Sequence, residues 1–190
     1  MEISSSPDPA PIFWFTGLSG AGKSTVATPA QAKLAAMSLH IVIIDGNDVR
    51  GRRDRPLGFS RDDILTNNAE IAEACGLARR NADAVFVPII SPYAAGREQA
   101  RSALGDGFFE IYVGADPATV VERDVKGLYA KAADGEITDM IGFSPTASFE
   151  APADPDLVLQ TAIEGPEQSS DTLVRFVLAK LSLQSASSSP

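Results

Sequence analysis

The stretch Gly17–Thr25, G-L-S-G-A-G-K-S-T, constrains this chain more than any other. It follows the apolar run Ile12, Phe13, Trp14, Phe15 and fits the phosphate-loop pattern G-x-x-x-x-G-K-[ST], in which backbone amides wrap a polyphosphate. Gly17, Gly20 and Gly22 let the backbone turn tightly and approach phosphates, because no Cβ blocks positive φ. Ser19, Ala21 and Thr25 complete the loop expected to contact a nucleotide. Lys23 supplies a point charge for the outer phosphate oxygens, and Ser24 a hydroxyl for Mg²⁺. A helix is expected to start near Lys23, bringing its unpaired amides and positive dipole end to the same anion. A glycine-rich turn without a ligand would not need the full pattern, a preceding apolar strand and a helix-compatible sequel together.

Composition narrows the class. With 190 residues, 44% of them hydrophobic, the chain can bury a substantial core and is expected to form one domain. A net charge of -9 argues against a general nucleic-acid binder, so an anionic substrate must be met by local positive charge. The single Cys75 excludes an intrachain disulfide, fits a reducing compartment and is expected to be a buried hydrophobe. No apolar run reaches the roughly 20 residues needed to cross a bilayer, and residues 1–11 lack the basic start and apolar centre of a signal peptide. A cytoplasmic protein with no membrane partner is expected. Residues 1–11 and 184–190 read as flexible tails around a folded part, 12–183.

Apolar periodicity predicts a helix from Lys23 toward Met37, with Pro29 causing a kink or local adjustment. His40–Ile44 reads as a buried parallel strand, its histidine structural. Asp45-Gly46-Asn47-Asp48-Val49-Arg50 then places carboxylates just past a strand's carboxyl end, where open α/β sheets bind ligands. Arg50, Arg52, Arg53 and Arg55 concentrate positive charge nearby. Ser60 is a candidate N-cap for a helix from Arg61 to Arg80. Ala84–Ile90 reads as a third strand, emptying into Ser91-Pro92-Tyr93. A helix over Ala94–Leu104, a strand over Phe109–Val113 and a helix over Pro117–Asp124 capped by Asp116 follow. Residues 125–155 are polar and rich in glycine and proline, with a helical piece at Lys126–Ala133, and read as a lid. Leu157–Leu159 gives a fifth strand and residues 166–183 a closing amphipathic helix. The alternation predicts an α/β fold of three layers, a doubly wound five-stranded parallel sheet with a lid.

The ordered motifs G-L-S-G-A-G-K-S-T, D-G-N-D-V-R, L-G-F-S, I-I-S-P-Y, K-G-L-Y-A-K-A and P-D-L-V-L-Q-T resemble those of adenylyl-sulfate (APS) kinases across residues 11–180. The resemblance implies a P-loop kinase fold, a homodimer, and phosphorylation by MgATP of the 3′-hydroxyl of adenosine 5′-phosphosulfate to give PAPS. Carried over by position, it implies that Lys23 and Ser24 hold ATP and Mg²⁺, with Asp45 close to the metal and the reacting hydroxyl. It implies an acceptor site of Arg50, Phe59, Asn67, Ile90, Ser91 and Tyr93, with Phe59 stacked on the base. Lys126, Gly127 and Leu128 are implied to open the lid over both substrates.

The chain departs from the family pattern chiefly on the acceptor side. The family's D-G-D becomes Asp45-Gly46-Asn47, leaving Asp45 or the adjacent Asp48 to take the attacking hydroxyl's proton. Its D-R-x-x-N-I-R-R becomes Asp63–Glu70, without arginines, while Arg52 and Arg53 offer compensation from another direction. Met140 stands where the family has an adenine-sandwiching phenylalanine, with Phe143 as a substitute, in a loop two residues longer. Three readings follow: an APS kinase with a divergent acceptor pocket, a family member acting on another acceptor such as a cytidine diphosphate derivative, and an inactive ATP-binding regulator.

Overall fold

A computed structural model describes residues 9–51 and 57–187. The expected roles of Arg52 and Arg53 fall outside the described residues, as does the side chain of Asn47. The strands are β1 (Ile12–Thr16), β2 (Ile41–Ile43), β3 (Ala84–Pro88), β4 (Phe108–Val113) and β5 (Leu157–Leu159). They form one parallel sheet in the order β2-β3-β1-β4-β5. β1 is central and buried throughout, as its sequence I-F-W-F-T demands, pairing Ile12 with Val85 on one side and Phe108 on the other. Its side chains alternate between two cores. Phe13 and Phe15 face the layer of α1 (Lys23–Ala35) and α7 (Pro166–Ser187), whereas Ile12 and Trp14 face α3 (Arg61–Ala78) and α4 (Ala94–Leu104). Each of these fully buried large side chains contributes about 1.5–3 kcal/mol.

Three shorter helices complete the fold: α2 (Gly46–Arg50), α5 (Pro117–Arg123) and α6 (Leu128–Ala133). Local chemistry sets several ends. Ser60 caps α3 by accepting from the Asp63 N–H at 3.2 Å, and Asp116 caps α5 by accepting from Thr119 at 3.0 Å, as predicted. α1 runs unbroken through Pro29 but stops short of Met37, because Ser38 takes a φ of 64° and the Leu39 N–H turns back to the Leu34 carbonyl. α7 runs on to Ser187, past the expected boundary at 183. The acidic turn after β2 is helical, since Val49 packs against Ile71 in the α3 core. His40 lies just outside β2, its ring Nδ1 2.8 Å from the Asn81 carbonyl and its N–H bonded to Asp83. Cys75 is buried, and burial pushes its thiol up to about 12. No helix among the described residues is long and apolar enough to cross a membrane.

All five strands point the same way, so the loops after β1, β2 and β3 emerge at one edge of the sheet. β1 sits between β3 and β4, where the chain order reverses and a crevice opens.

Candidate active site

The loop between β1 and α1 supplies one wall of that crevice. Gly17 has a φ of 151°, and a Cβ there would lie 2.5 Å from the Val113 carbonyl oxygen. Gly22 precedes α1 in the left-handed region, and α1 has neither a capping side chain nor an acidic residue in its first turn. Its leading amides are thus left for an anion. Lys23 is 8% exposed, and its Nζ donates to the Gly17 and Leu18 carbonyls at 2.8 and 2.7 Å. Burial, and secondarily the charge of Lys126, pull its ammonium down to about 7.

A cleft of about 410 Å³ runs from this loop across the ends of β2 and β3. Ser19, Gly20, Gly22, Lys23, Ser24 and Thr25 line the end formed by this loop. Asp45, Arg50, Phe59, Asn67, Ile90 and Ser91 line the rest, with Lys126 and Leu128 from the lid. Gly17 and Ala21 shape the loop without lining the cleft, Ala21 being fully buried in the core. Gly127, in the left-handed region at φ 64°, turns the chain so that its two neighbours reach the cleft. The Asp124 carboxylate secures that turn by accepting from the Tyr129 and Ala130 N–H groups, both at 3.0 Å.

At the end away from the phosphate loop the Arg50 guanidinium lies 4.5 Å from the Phe59 ring centroid, and Phe59 is 63% exposed. Among the described residues, Arg50 Nε and Asn67 Oδ1 are buried without a hydrogen-bond partner. A buried polar atom without a partner is costly, so both are poised for a ligand. Burial also lowers the Arg50 pKa, opposed by Asp63. Ser91 is held at a φ of 40°, with its Oγ accepting from Trp14 Nε1 at 3.0 Å and Asn68 Nδ2 at 3.1 Å. Its carbonyl accepts from Arg97 at 2.9 Å, and Arg97 is itself paired with Glu110 in the interior. Such strain persists only where surrounding contacts over-determine it.

Not every expected residue reaches the cleft. Asp48, on α2, is exposed and does not line it. Tyr93 is buried beside the cleft under the Arg61 guanidinium, 4.2 Å from its ring centroid. Met140 and Phe143 do not line this cleft. Met140 packs into the core with Tyr129, and Phe143 meets Tyr129 edge-on at 5.9 Å, on the wall of a separate cavity of about 580 Å³. Ile141, between them, lines the cleft instead. The lengthened loop closes on itself, the Gly142 N–H reaching the Ala147 carbonyl at 2.7 Å and Ser144 bonding back to Met140, so neighbouring residues face opposite sides.

Sequence reasoning missed Asn68, Trp14 and Arg97 behind Ser91, and Glu150, which binds the Ala94 N–H at 2.7 Å and Arg61 at 3.2 Å. A polar pair at Asn67-Asn68 on an otherwise apolar helical stripe was the one local signal; the other contacts span distant segments.

A family model described as adenylylsulphate kinase matches residues 10–160. The chain belongs to the adenylylsulphate kinase family. It is 41% identical over 167 residues to a probable adenylyl-sulfate kinase of Pseudomonas aeruginosa, spanning 88% of this chain and 77% of that protein. With the adenylyl-sulfate kinase of Staphylococcus haemolyticus it shares 38% identity over 170 residues, 89% of this chain and 84% of the relative. Among solved structures, the Mycobacterium tuberculosis APS kinase CysC in complex with AMPPNP and APS matches with a TM-score of 0.79 at 35% identity, over 91% of this chain and 99% of that one. The five-stranded parallel sheet described above is thus the P-loop kinase fold of the adenylylsulphate kinase family.

Proposed function

We propose that this chain is an ATP-dependent kinase that transfers the γ-phosphate to the 3′-hydroxyl of adenosine 5′-phosphosulfate, giving PAPS. One observation carries the reading: a single cleft joins a phosphate loop to a second end where buried Arg50 Nε and Asn67 Oδ1 lack partners among the described residues. Family membership identifies the reaction for which two such ends would be needed.

Phosphoryl transfer is chiefly a matter of positioning and of neutralising charge on the phosphate oxygens. Lys23 leaves the Gly17 and Leu18 carbonyls for the phosphates, where its charge is restored. Ser24 and Asp45 line the same cleft and offer a hydroxyl and a carboxylate, hard oxygen donors suited to Mg²⁺. Bound with ATP, that ion would neutralise charge on the phosphates. Arg50 and Asn67 bind polar groups of the acceptor, and Phe59 presents its ring to the base. Asp45 takes the proton of the attacking hydroxyl, directly or through water, since Asp48 lies outside the cleft. Lys126 and Leu128 close over both substrates.

A kinase acting on another nucleotide-linked acceptor is the second reading, favoured by the apolar Ile64 and Ile141 at the acceptor end. Purified protein, MgATP and a panel of acceptors separate the two. Turnover on APS at about 1–100 per second supports the first, turnover on another acceptor supports the second, and nucleotide binding with no turnover on any acceptor would make the chain a regulator. We further propose a cytoplasmic homodimer, for which light scattering of the purified chain should give twice the 20.0 kDa chain mass.

A further inference from the structure

The phosphate loop is held from outside by two side chains that belong neither to it nor to α1. Tyr129, on α6, donates its hydroxyl to the Ser19 carbonyl at 2.9 Å. Thr161, just past β5, donates to the Ala21 carbonyl at 2.6 Å, with the Gly114 carbonyl within reach at 3.3 Å. Both residues are buried. Burial and the Asp124 carboxylate push the Tyr129 phenol up to about 12, so it carries its proton at neutral pH.

In a planar trans peptide the N–H points opposite to the carbonyl, and there is no cis peptide bond among the described residues. A Ser19 carbonyl fixed toward α6 therefore turns the Gly20 N–H to the other side, and an Ala21 carbonyl fixed toward Thr161 does the same for Gly22. Gly20 and Gly22 line the cleft, and neither N–H bonds within the described residues. Glycine rotates at little steric cost, so these peptides need an external restraint to keep one orientation.

We infer that Tyr129 and Thr161 are positioning residues for the nucleotide. By holding the Ser19 and Ala21 carbonyls outward, they aim the Gly20 and Gly22 N–H groups at the ATP phosphates, and Tyr129 makes the set of that cradle depend on the seat of the lid. The inference rests on the nucleotide site proposed above.

The test compares the full chain with Tyr129→Phe, Thr161→Val and Thr161→Ser by steady-state kinetics, MgADP calorimetry and thermal melting. Tyr129→Phe keeps the ring packing and removes only the hydroxyl. It and Thr161→Val should each raise the KM for MgATP and the Kd for MgADP by about five- to tenfold, the scale of one lost hydrogen bond. The acceptor KM should stay unchanged while the Tm falls by only about 2–4 °C, and Thr161→Ser, which restores the hydroxyl, should bind MgADP as the parent does. A parent chain that binds no MgADP would overturn the nucleotide site itself. If the parent binds and both hydroxyl-less variants bind within twofold of it, the positioning role is wrong. It is equally wrong if nucleotide and acceptor affinities fall together with the Tm, since that pattern marks general structural damage.

Discussion

The two ends of the cleft are built in different ways. The proposed donor end is one continuous stretch, Gly17–Thr25, which offers backbone amides, a helix start and the buried Lys23. The proposed acceptor end gathers single side chains from five separate segments: Arg50 from α2, Phe59, Asn67 from α3, Ser91 after β3 and Ile141 from the lid. Its phenylalanine is largely exposed, and two of its buried polar atoms have no partner among the described residues. A phosphate is recognised by geometry that a short backbone segment can supply alone, whereas a particular acceptor is recognised by side chains that only long-range packing brings together. Changes at the donor end should therefore abolish the reaction, and changes at the acceptor end should tune it.

The sharpest way to break this contrast is Lys23→Ala, which should lower kcat by about a thousandfold or more on every acceptor, the scale of losing a preorganised electrostatic contact in the transition state. Activity within tenfold of the parent, measured with MgATP and APS, would show that the donor end is misread. Next in size, Asp45→Asn should cost about a hundredfold or more in kcat, while Asp48→Asn should leave it within about twofold. The reverse order in the same assay would return the base role to Asp48. At the acceptor end, Asn67→Ala should raise the acceptor KM by about tenfold and leave the KM for MgATP unchanged. A matching rise for MgATP would mean that the two ends are not separable.

The smallest effect concerns protons. Lys23 has a folded pKa of about 7 against an ordinary 10.5, so between these values the folded chain holds fewer protons than the unfolded one. Its unfavourable contribution to stability is fully present below about 7 and fades as pH rises through that window. Bound phosphates restore the charge. MgADP binding near pH 8 should thus take up a fraction of a proton and weaken as pH rises. Calorimetry in buffers of different ionisation enthalpy reads that uptake, and Lys23→Met should remove it.

The strand and helix order was legible because β1 is uniformly apolar, Ser60 and Asp116 are strong caps, and apolar periodicity marks α3, α4 and α7. α2 was not, because Gly46-Asn47-Asp48 has poor helix propensity and the element depends on Val49 packing against Ile71. That Ile141, and not Met140 or Phe143, lines the cleft was not legible for a related reason: the lengthened loop folds back through Gly142, Ser144 and Ala147. Position in a motif does not reveal which side of such a turn a residue faces.

By itself, then, the sequence determined the phosphate-loop pattern, the parallel sheet and the family, since a glycine pattern, strand alternation and caps act between near neighbours. Only the tertiary structure decided which carboxylate faces the cleft, how Trp14, Asn68 and Arg97 hold Ser91, and that Tyr129 and Thr161 grip the loop from outside. The Tyr129 contact joins residues 110 apart and the Thr161 contact residues 140 apart. Their geometry exists only once the sheet, the lid and the loop have packed together.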